Sequence, residues 1–196
     1  MKVAIIGLSK STHDLAPWRD NSWEKWGLPW DHARPWCQKL FEMHDRSLLE
    51  TKAANREIDY FGSKLATCSQ PLYMQEKHAD VPTSIAYPLD AIQKTVFADY
   101  PRQDQVDWYE SSIAYMAALA IFMEADDIGF WGVDVKREDE FAIEQPCLAF
   151  LIGFAMGRGI RVHIPEGPSE LCKKFQGEQR LSNLKVKYPT RYGWLT

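Results

Sequence analysis

Four serines in this sequence have the spacing needed to hold an anionic ligand, because they lie beside a predicted strand or helix. Ser9 and Ser11 follow a short apolar run that ends at Gly7. Ser111 and Ser112 stand at the start of an apolar segment that predicts a helix. A serine at a helix start caps backbone N–H groups or, together with them, binds an anion. Both roles are open for Ser111 and Ser112.

An aspartate closes the strand that follows this helix. Residues 108–134, WYESSIAYMAALAIFMEADDIGFWGVD, predict an amphipathic helix and then a buried strand that ends at Gly132-Val133-Asp134. Ligands of open parallel sheets bind outside the carboxyl ends of the strands, near such an acid. Gly132 is therefore a candidate ligand contact and Asp134 a candidate catalytic group. The alternative is that Asp134 only caps the next loop.

Composition limits the classes of protein that this chain can belong to. With 196 residues, of which 45% are hydrophobic, it can bury one core. We expect a Rossmann-like domain over residues 1–175 and a tail of unassigned role over 176–196. The net charge of −4, without a basic run, argues against a partner nucleic acid. The N-terminal apolar run is too short for a signal peptide, and no segment predicts a membrane span, so a soluble cytoplasmic protein is expected.

Four cysteines and five histidines show no spacing typical of metal ligands. No metal site and no cofactor are therefore predicted. The loop that follows Gly7 lacks both the P-loop pattern and the GxGxxG pattern, so it is not a standard phosphate-binding loop.

The order of predicted elements is typical of a three-layer α/β fold with a mostly parallel sheet. The residue patterns predict strands at Lys2–Gly7, Glu24–Leu28, Lys39–His44, Leu72–Met74, the segment before Asp134, and a last buried strand at Arg161–Ile164. They predict helices within 46–64 and at Leu89–Phe97, the central segment, Phe141–Gly157 and Ser169–Phe175.

Five tryptophans lie in the segment from Pro17 to Trp36. Three prolines in the same segment prevent it from forming one continuous helix. One interpretation is that these rings cover the edge of the sheet. The other is that Trp26 or a neighbouring ring walls a base or sugar pocket, because indole offers a flat apolar face and an N–H donor.

Three segments carry a resemblance to known families: MKVAIIGLSKSTHDLAPWRDNSWEKWGLPWD, SSIAYMAALAIFMEADDIGFWGVDV and DEFAIEQPCLAFLIGFAMGRGIRVHIP. Together they resemble a family of uncharacterised phage and prophage proteins over most of the chain. More distantly they are similar to bacterial sialyltransferases of the Campylobacter type and to pyrophosphokinase-related proteins of the MptE group. The sialyltransferase resemblance implies that Gly7, Ser9, Ser11, Ser111 and Ser112 line a nucleotide site.

The sequence departs from the sialyltransferase pattern at several ligand positions. Gly7-Leu8-Ser9-Lys10-Ser11 stands where GNGPS is usual, and Pro29 stands where the second strand would supply an asparagine. The family's histidine base and tyrosine pair have no counterpart between residues 135 and 161, where Phe141 replaces a tyrosine. Among the titratable groups that remain for a general base in this region are Asp134, Asp139, Glu140 and Glu144.

Three functions are compatible with this pattern. The first is binding of a nucleotide or nucleotide-derived ligand without catalysis, which the missing histidine favours. The second is metal-independent transfer of a sugar from a nucleotide sugar, with Asp134 or Glu144 as base; Glu144 alternatively belongs to a solvated helix start. The third is a phage structural or interaction protein with a vestigial pocket.

Overall fold

Seven short strands and four α-helices make up the part of the chain that the computed structural model describes, residues 1–56, 64–98, 109–134, 141–166 and Leu171. The strands are β1 (Lys2–Ile6), β2 (Trp23–Gly27), β3 (Lys39–Phe41), β4 (Leu72–Met74), β5 (Ser84–Ala86), β6 (Asp127–Trp131) and β7 (Arg161–His163). The α-helices are α1 (Arg46–Arg56), α2 (Leu89–Thr95), α3 (Ser112–Phe122) and α4 (Phe141–Gly157), and two 3₁₀ turns lie at His13–Leu15 and Arg34–Trp36.

All seven strands are parallel and belong to one sheet, with the order β5-β4-β3-β2-β1-β6-β7. The predicted Rossmann-like α/β fold in a single domain is confirmed. Strand order reverses direction between β1 and β6, so connections from these two strands leave on opposite sides. Such a switch point opens a crevice at the carboxyl edge of the sheet.

The sheet is covered on both faces. On one face α2, α3 and α4 pack against alternate residues of the central strands, among them Val3, Ile5, Ile128 and Phe130. On the other face, Leu49 of α1 packs against β3 and β4. Trp131 and Trp23 meet edge to face on that same side, with ring centroids 5.2 Å apart. No helix in the described residues has the length and hydropathy needed to cross a membrane.

Two predictions about the elements around the switch point are wrong. Helix α3 is not amphipathic, because Ala114 and every residue from Met116 to Ile121 are buried between the sheet and the neighbouring helices. Strand β7 is not buried, because it forms the sheet edge and exposes Arg161 and His163. Both of these side chains bond the buried carboxylate of Asp127 on β6.

The remaining elements follow the sequence closely, with two differences. The segment Ser84–Ala86 forms a strand, β5, where the sequence pattern predicts none. Strand β3 ends at Phe41, so Glu42, Met43 and His44 follow the strand instead of belonging to it. The predicted helix Ser169–Phe175, apart from Leu171, and the tail 176–196 lie outside the described residues.

Two glycines allow the loops after β1 and β6 to touch. A Cβ atom on Gly7 would lie 2.5 Å from the carbonyl oxygen of Gly132, and a Cβ on Gly132 would lie 2.5 Å from that of Gly7. Gly132 also has φ = +63°, a conformation that strains any residue with a side chain. The contact therefore requires glycine on both sides.

We expect Gly132→Ala to lower the free energy of unfolding by about 2 kcal/mol or more, since it adds a positive-φ penalty to a backbone clash. Chemical denaturation measures the change. Gly153→Ala is the matched control, because a Cβ there meets no described atom within 4 Å. That residue lies inside α4, where alanine is favoured over glycine by about 1 kcal/mol. Equal destabilisation by both substitutions would contradict the account.

Candidate functional site

A cleft of about 740 Å³ opens at the carboxyl edge of the sheet, at the switch point between β1 and β6. It collects the loops after these two strands, the start of α3, the first turn of α4 and the ends of β2, β3 and β4. The described residues that line it are Gly7, Leu8, Ser9, Leu28, Met43, His44, Gln75, Tyr109, Glu110, Ser111, Ser112, Ile113, Tyr115, Gly132, Val133, Asp134, Glu144 and Leu148.

Seven of the nine site residues predicted from the sequence line this one cleft, from both sides of the switch point. They are Gly7, Ser9, Ser111, Ser112, Gly132, Asp134 and Glu144. Ser11 lies just behind the lining, with its Oγ atom 3.1 Å from that of Ser9. Glu140, which would share a helix face with Glu144, lies outside the described residues.

The placement of Trp26 in a pocket wall is wrong. Its side chain is fully buried in the core, 5.4 Å from the ring of Phe41 and tilted against it. Residues of a strand alternate between the two faces of the sheet, and Trp26 points to the face covered by α3 and α4. Trp30, in the loop beyond β2, donates a hydrogen bond from its indole N–H to Glu42. Glu42 in turn contacts His44, which lines the cleft.

The loop after β1 is held to the loop after β6 by several hydrogen bonds. The backbone N–H groups of Gly7 and Ser9 donate to the carbonyl oxygens of Trp131 and Gly132, each at 2.8 Å. The Ser9 hydroxyl donates to Oδ2 of Asp134 at 2.7 Å. Because these two N–H groups are already used between loops, they do not form a phosphate cradle of the P-loop kind. The Ser9 bond instead fixes the carboxylate of Asp134 at the cleft wall.

Ser111 caps helix α3. Its backbone is extended, with φ = −151°, and its Oγ accepts a hydrogen bond from the N–H of Ala114 at 3.3 Å. Ser112 is the first helical residue and lines the cleft beside Ile113. The positive end of the helix dipole therefore faces the cleft, together with N–H groups of the first turn, which have no acceptor inside the helix.

The charges of the lining are mostly negative. Glu110, Asp134 and Glu144 carry carboxylates, and the described lining includes His44 but neither lysine nor arginine. Carboxylates accept hydrogen bonds and repel anions. The surface around these three residues therefore suits the hydroxyl groups of a ligand better than an anionic group. The lining also includes apolar and aromatic residues, among which Tyr109 stacks on Tyr115 with ring centroids 4.8 Å apart.

Sequence reasoning missed the pair Glu42 and His44. His44 lines the cleft, and its Nδ1 atom lies 2.5 Å from Oε1 of the buried Glu42. Both residues belong to the predicted strand Lys39–His44, in which Glu42 and His44 would share the face of the sheet opposite to that of Met43. The signal that would have found them is an acid-x-histidine pair just beyond the carboxyl end of a parallel strand.

A second histidine pair anchors the loop that carries Ser9. His13 Nε2 lies 2.8 Å from Oδ2 of the buried Asp31, and Nδ1 lies 3.2 Å from Asp14. The neighbouring Thr12 accepts a hydrogen bond from the N–H of Gly132 at 2.8 Å. Burial lowers the pKa of His13, but its hydrogen bonds to Asp31 and Asp14 outweigh burial and raise that pKa above 6.5.

The fold defined above is that of a Rossmann-like α/β protein with its cleft at the switch point, and it is shared with a solved enzyme. The chain is similar to the sialyltransferase CstII from Campylobacter jejuni in complex with the substrate analogue cytidine-5'-monophosphate. The TM-score is 0.51 at 14% identity, covering 88% of this chain and 82% of the other.

A second CstII structure, in complex with the substrate analogue CMP-3FNeuAc, gives a TM-score of 0.50 at 15% identity. It covers 88% of this chain and 84% of the other. No protein-family model and no curated protein matches the sequence. At these identities the similarity to CstII shows a common fold.

The His13 pair predicts a pH dependence of stability. Because the folded-state pKa is raised, the charge contribution is complete below about pH 6.5 and is lost as the pH rises through the folded-state value. We expect the difference in unfolding free energy between wild type and His13→Gln to be larger at pH 5.5 than at pH 9. The difference amounts to about 1.4 kcal/mol for each unit of pKa shift. Denaturant titrations at both pH values measure it.

A double-mutant cycle supplies the control. In an Asp31→Asn background the main partner of His13 no longer carries a charge. There, the pH dependence of the stability loss caused by His13→Gln should shrink or reverse sign, because burial lowers the pKa of His13 and Asp14 alone opposes it. A difference between wild type and His13→Gln that does not change with pH would contradict the assignment.

Proposed function

We propose that the cleft binds a nucleotide or a nucleotide-derived ligand such as a nucleotide sugar. One observation carries the proposal: the switch-point cleft unites the start of α3 with the loops after β1 and β6. This is where doubly wound α/β proteins bind nucleotides. The similarity to CstII, whose structures contain cytidine-5'-monophosphate and CMP-3FNeuAc, supports the choice of ligand class.

The charges of the cleft suggest how such a ligand is oriented. Its phosphate belongs at the start of α3, where the Ser112 hydroxyl, first-turn N–H groups and the helix dipole favour an anion. Its ribose or sugar hydroxyls belong at Asp134 and Glu144, whose carboxylates accept hydrogen bonds. Gly7, Ser9, Ser11 and Gly132 form and support the wall between these two regions.

A second candidate function is metal-independent transfer of a sugar from a nucleotide sugar. The specific observation in its favour is a histidine in the cleft, His44, since the lack of a histidine base was the main sequence argument for binding alone. Asp134 and Glu144 are the other candidate bases. A phage origin, a relation to MptE-like proteins, a cytoplasmic location and a tail at 176–196 are predictions of the sequence alone.

The binding proposal predicts different effects of the two serines. Ser112→Ala should weaken nucleotide binding by about 1.5–3 kcal/mol, the value of a hydrogen bond to a charged group, and leave stability nearly unchanged. Ser111→Ala should instead lower stability by about 1 kcal/mol, because it removes the helix cap. Calorimetric titration with CMP, UMP, AMP and GMP, and thermal melting of each variant, measure the two quantities.

Ser69→Ala is the matched control, since Ser69 is exposed, precedes β4 and lies outside the cleft lining. It should bind each nucleotide as wild type does. Nucleosides without phosphate should bind wild type and Ser112→Ala equally if Ser112 contacts phosphate. If none of the four nucleotides binds wild type at millimolar concentration, nucleotide binding is wrong.

A further inference from the structure

A buried carboxylate lies directly behind the histidine of the cleft. The side chain of Glu42 is 1% exposed, and its Oε2 accepts a hydrogen bond from the indole Nε1 of Trp30 at 2.5 Å. Its Oε1 accepts from the backbone N–H of His44 at 3.1 Å and faces Nδ1 of the same residue at 2.5 Å. A buried carboxylate needs such donors to be stable away from water.

These contacts fix which ring nitrogen of His44 carries the proton. The indole N–H and the backbone N–H can only donate, so both oxygens of Glu42 act as acceptors. With Glu42 ionised, as its two N–H donors favour, the imidazole donates from Nδ1 to Oε1. In the neutral ring the lone pair that accepts a proton is then on Nε2. This orientation of an imidazole by a buried acid is the arrangement that prepares a histidine for proton transfer.

The histidine is also accessible from the cleft. His44 lines it, and 42% of its side chain is exposed, whereas the acid behind it is almost completely buried. A histidine kept only for packing would not need a polarising carboxylate that is itself held by a third residue, Trp30. The same cleft includes the start of α3, where the proposed function places the phosphate of a nucleotide.

We propose that His44 is the general base of a group transfer in this cleft, and that Glu42 and Trp30 are its positioning residues. The proposal rests on the proposed function, because it needs an activated donor bound at α3. Nε2 of His44 takes the proton from an acceptor hydroxyl as that oxygen bonds to the anomeric carbon of a nucleotide sugar. The bond from that carbon to the phosphate oxygen breaks, and its electron pair leaves with the nucleotide.

The proton and the charges balance within the site. The imidazolium formed on His44 is stabilised by the negative charge of Glu42. The phosphate oxygen that gains the electron pair lies at the positive end of α3. When water replaces the acceptor hydroxyl, the same step is hydrolysis of the donor, so release of free nucleotide reports the reaction without knowledge of the natural acceptor.

The test measures nucleotide release and nucleotide binding on the same proteins. Full-length wild type is incubated with CMP-, UDP-, GDP- and ADP-sugars and simple sugar acceptors, and each variant is titrated with CMP, UMP, AMP and GMP. We expect His44→Asn to lower kcat by 10²–10⁴-fold with KM and nucleotide affinity changed less than threefold. Glu42→Gln should lower kcat at least tenfold, because it no longer fixes the tautomer.

Two further readouts separate catalysis from a structural role. Added imidazole should restore part of the kcat of His44→Ala, which a packing defect would not allow. In wild type, kcat is expected to fall toward low pH, because protonation of Nε2 removes the base, and this fall should disappear in His44→Asn. His32→Asn is the control: its ring is 87% exposed and lies outside the cleft lining, so kcat should not change.

The outcomes distinguish the catalytic role of His44 from nucleotide binding by the cleft. Nucleotide binding without turnover of any donor by wild type overturns the role of His44 and leaves the proposed function intact. Turnover that survives His44→Asn but is lost in Asp134→Asn or Glu144→Gln transfers the base to that carboxylate and also overturns it. Absence of both binding and turnover in wild type overturns the proposed function itself.

Discussion

The contact between Gly7 and Gly132 is the constraint on which the site depends. It brings the loops after β1 and β6 so close that each glycine carbonyl occupies the space a Cβ of the other would need. Strand pairing brings the two loops to the same edge, but only the missing side chains let them bond through Ser9, Thr12 and Asp134. The glycines therefore serve loop packing, whereas a P-loop uses glycines to bring the backbone near phosphate.

This use of the loops decides where an anion can be held. Since the N–H groups of Gly7 and Ser9 are bonded across the switch point, the positive backbone polarity of the cleft comes from helix starts, those of α3 and α4. The carboxylates lie on Asp134, Glu110 and Glu144. The proposed function assigns the phosphate to the start of α3 and the sugar hydroxyls to Asp134 and Glu144. Glu110, directly before the cap Ser111, adds a negative charge beside the first of these regions.

The sequence predicts the helices and strands well, because the spacing of hydrophobic residues and the positions of glycine and proline determine them locally. Leu72–Met74 and Phe141–Gly157 have the predicted bounds, and seven of the nine predicted site residues line the cleft, as expected from parallel strands that end at a common edge. It fails where tertiary context decides. The spacing of hydrophobic residues in α3 does not reveal that α4 covers the side of α3 that faces away from the sheet. Side chains along β2 alternate between the two faces of the sheet, and this alternation directs Trp26 into the core.

The missed histidine has the same physical origin. A strand that continued to His44 would point Glu42 and His44 to one face of the sheet and not toward the cleft at its carboxyl edge. Because β3 ends three residues earlier, the chain turns and both Glu42 and His44 reach the carboxyl edge, where they bond to each other. The absence of a histidine from 135–161 is therefore no argument against catalysis, since a different strand supplies a histidine to the same cleft.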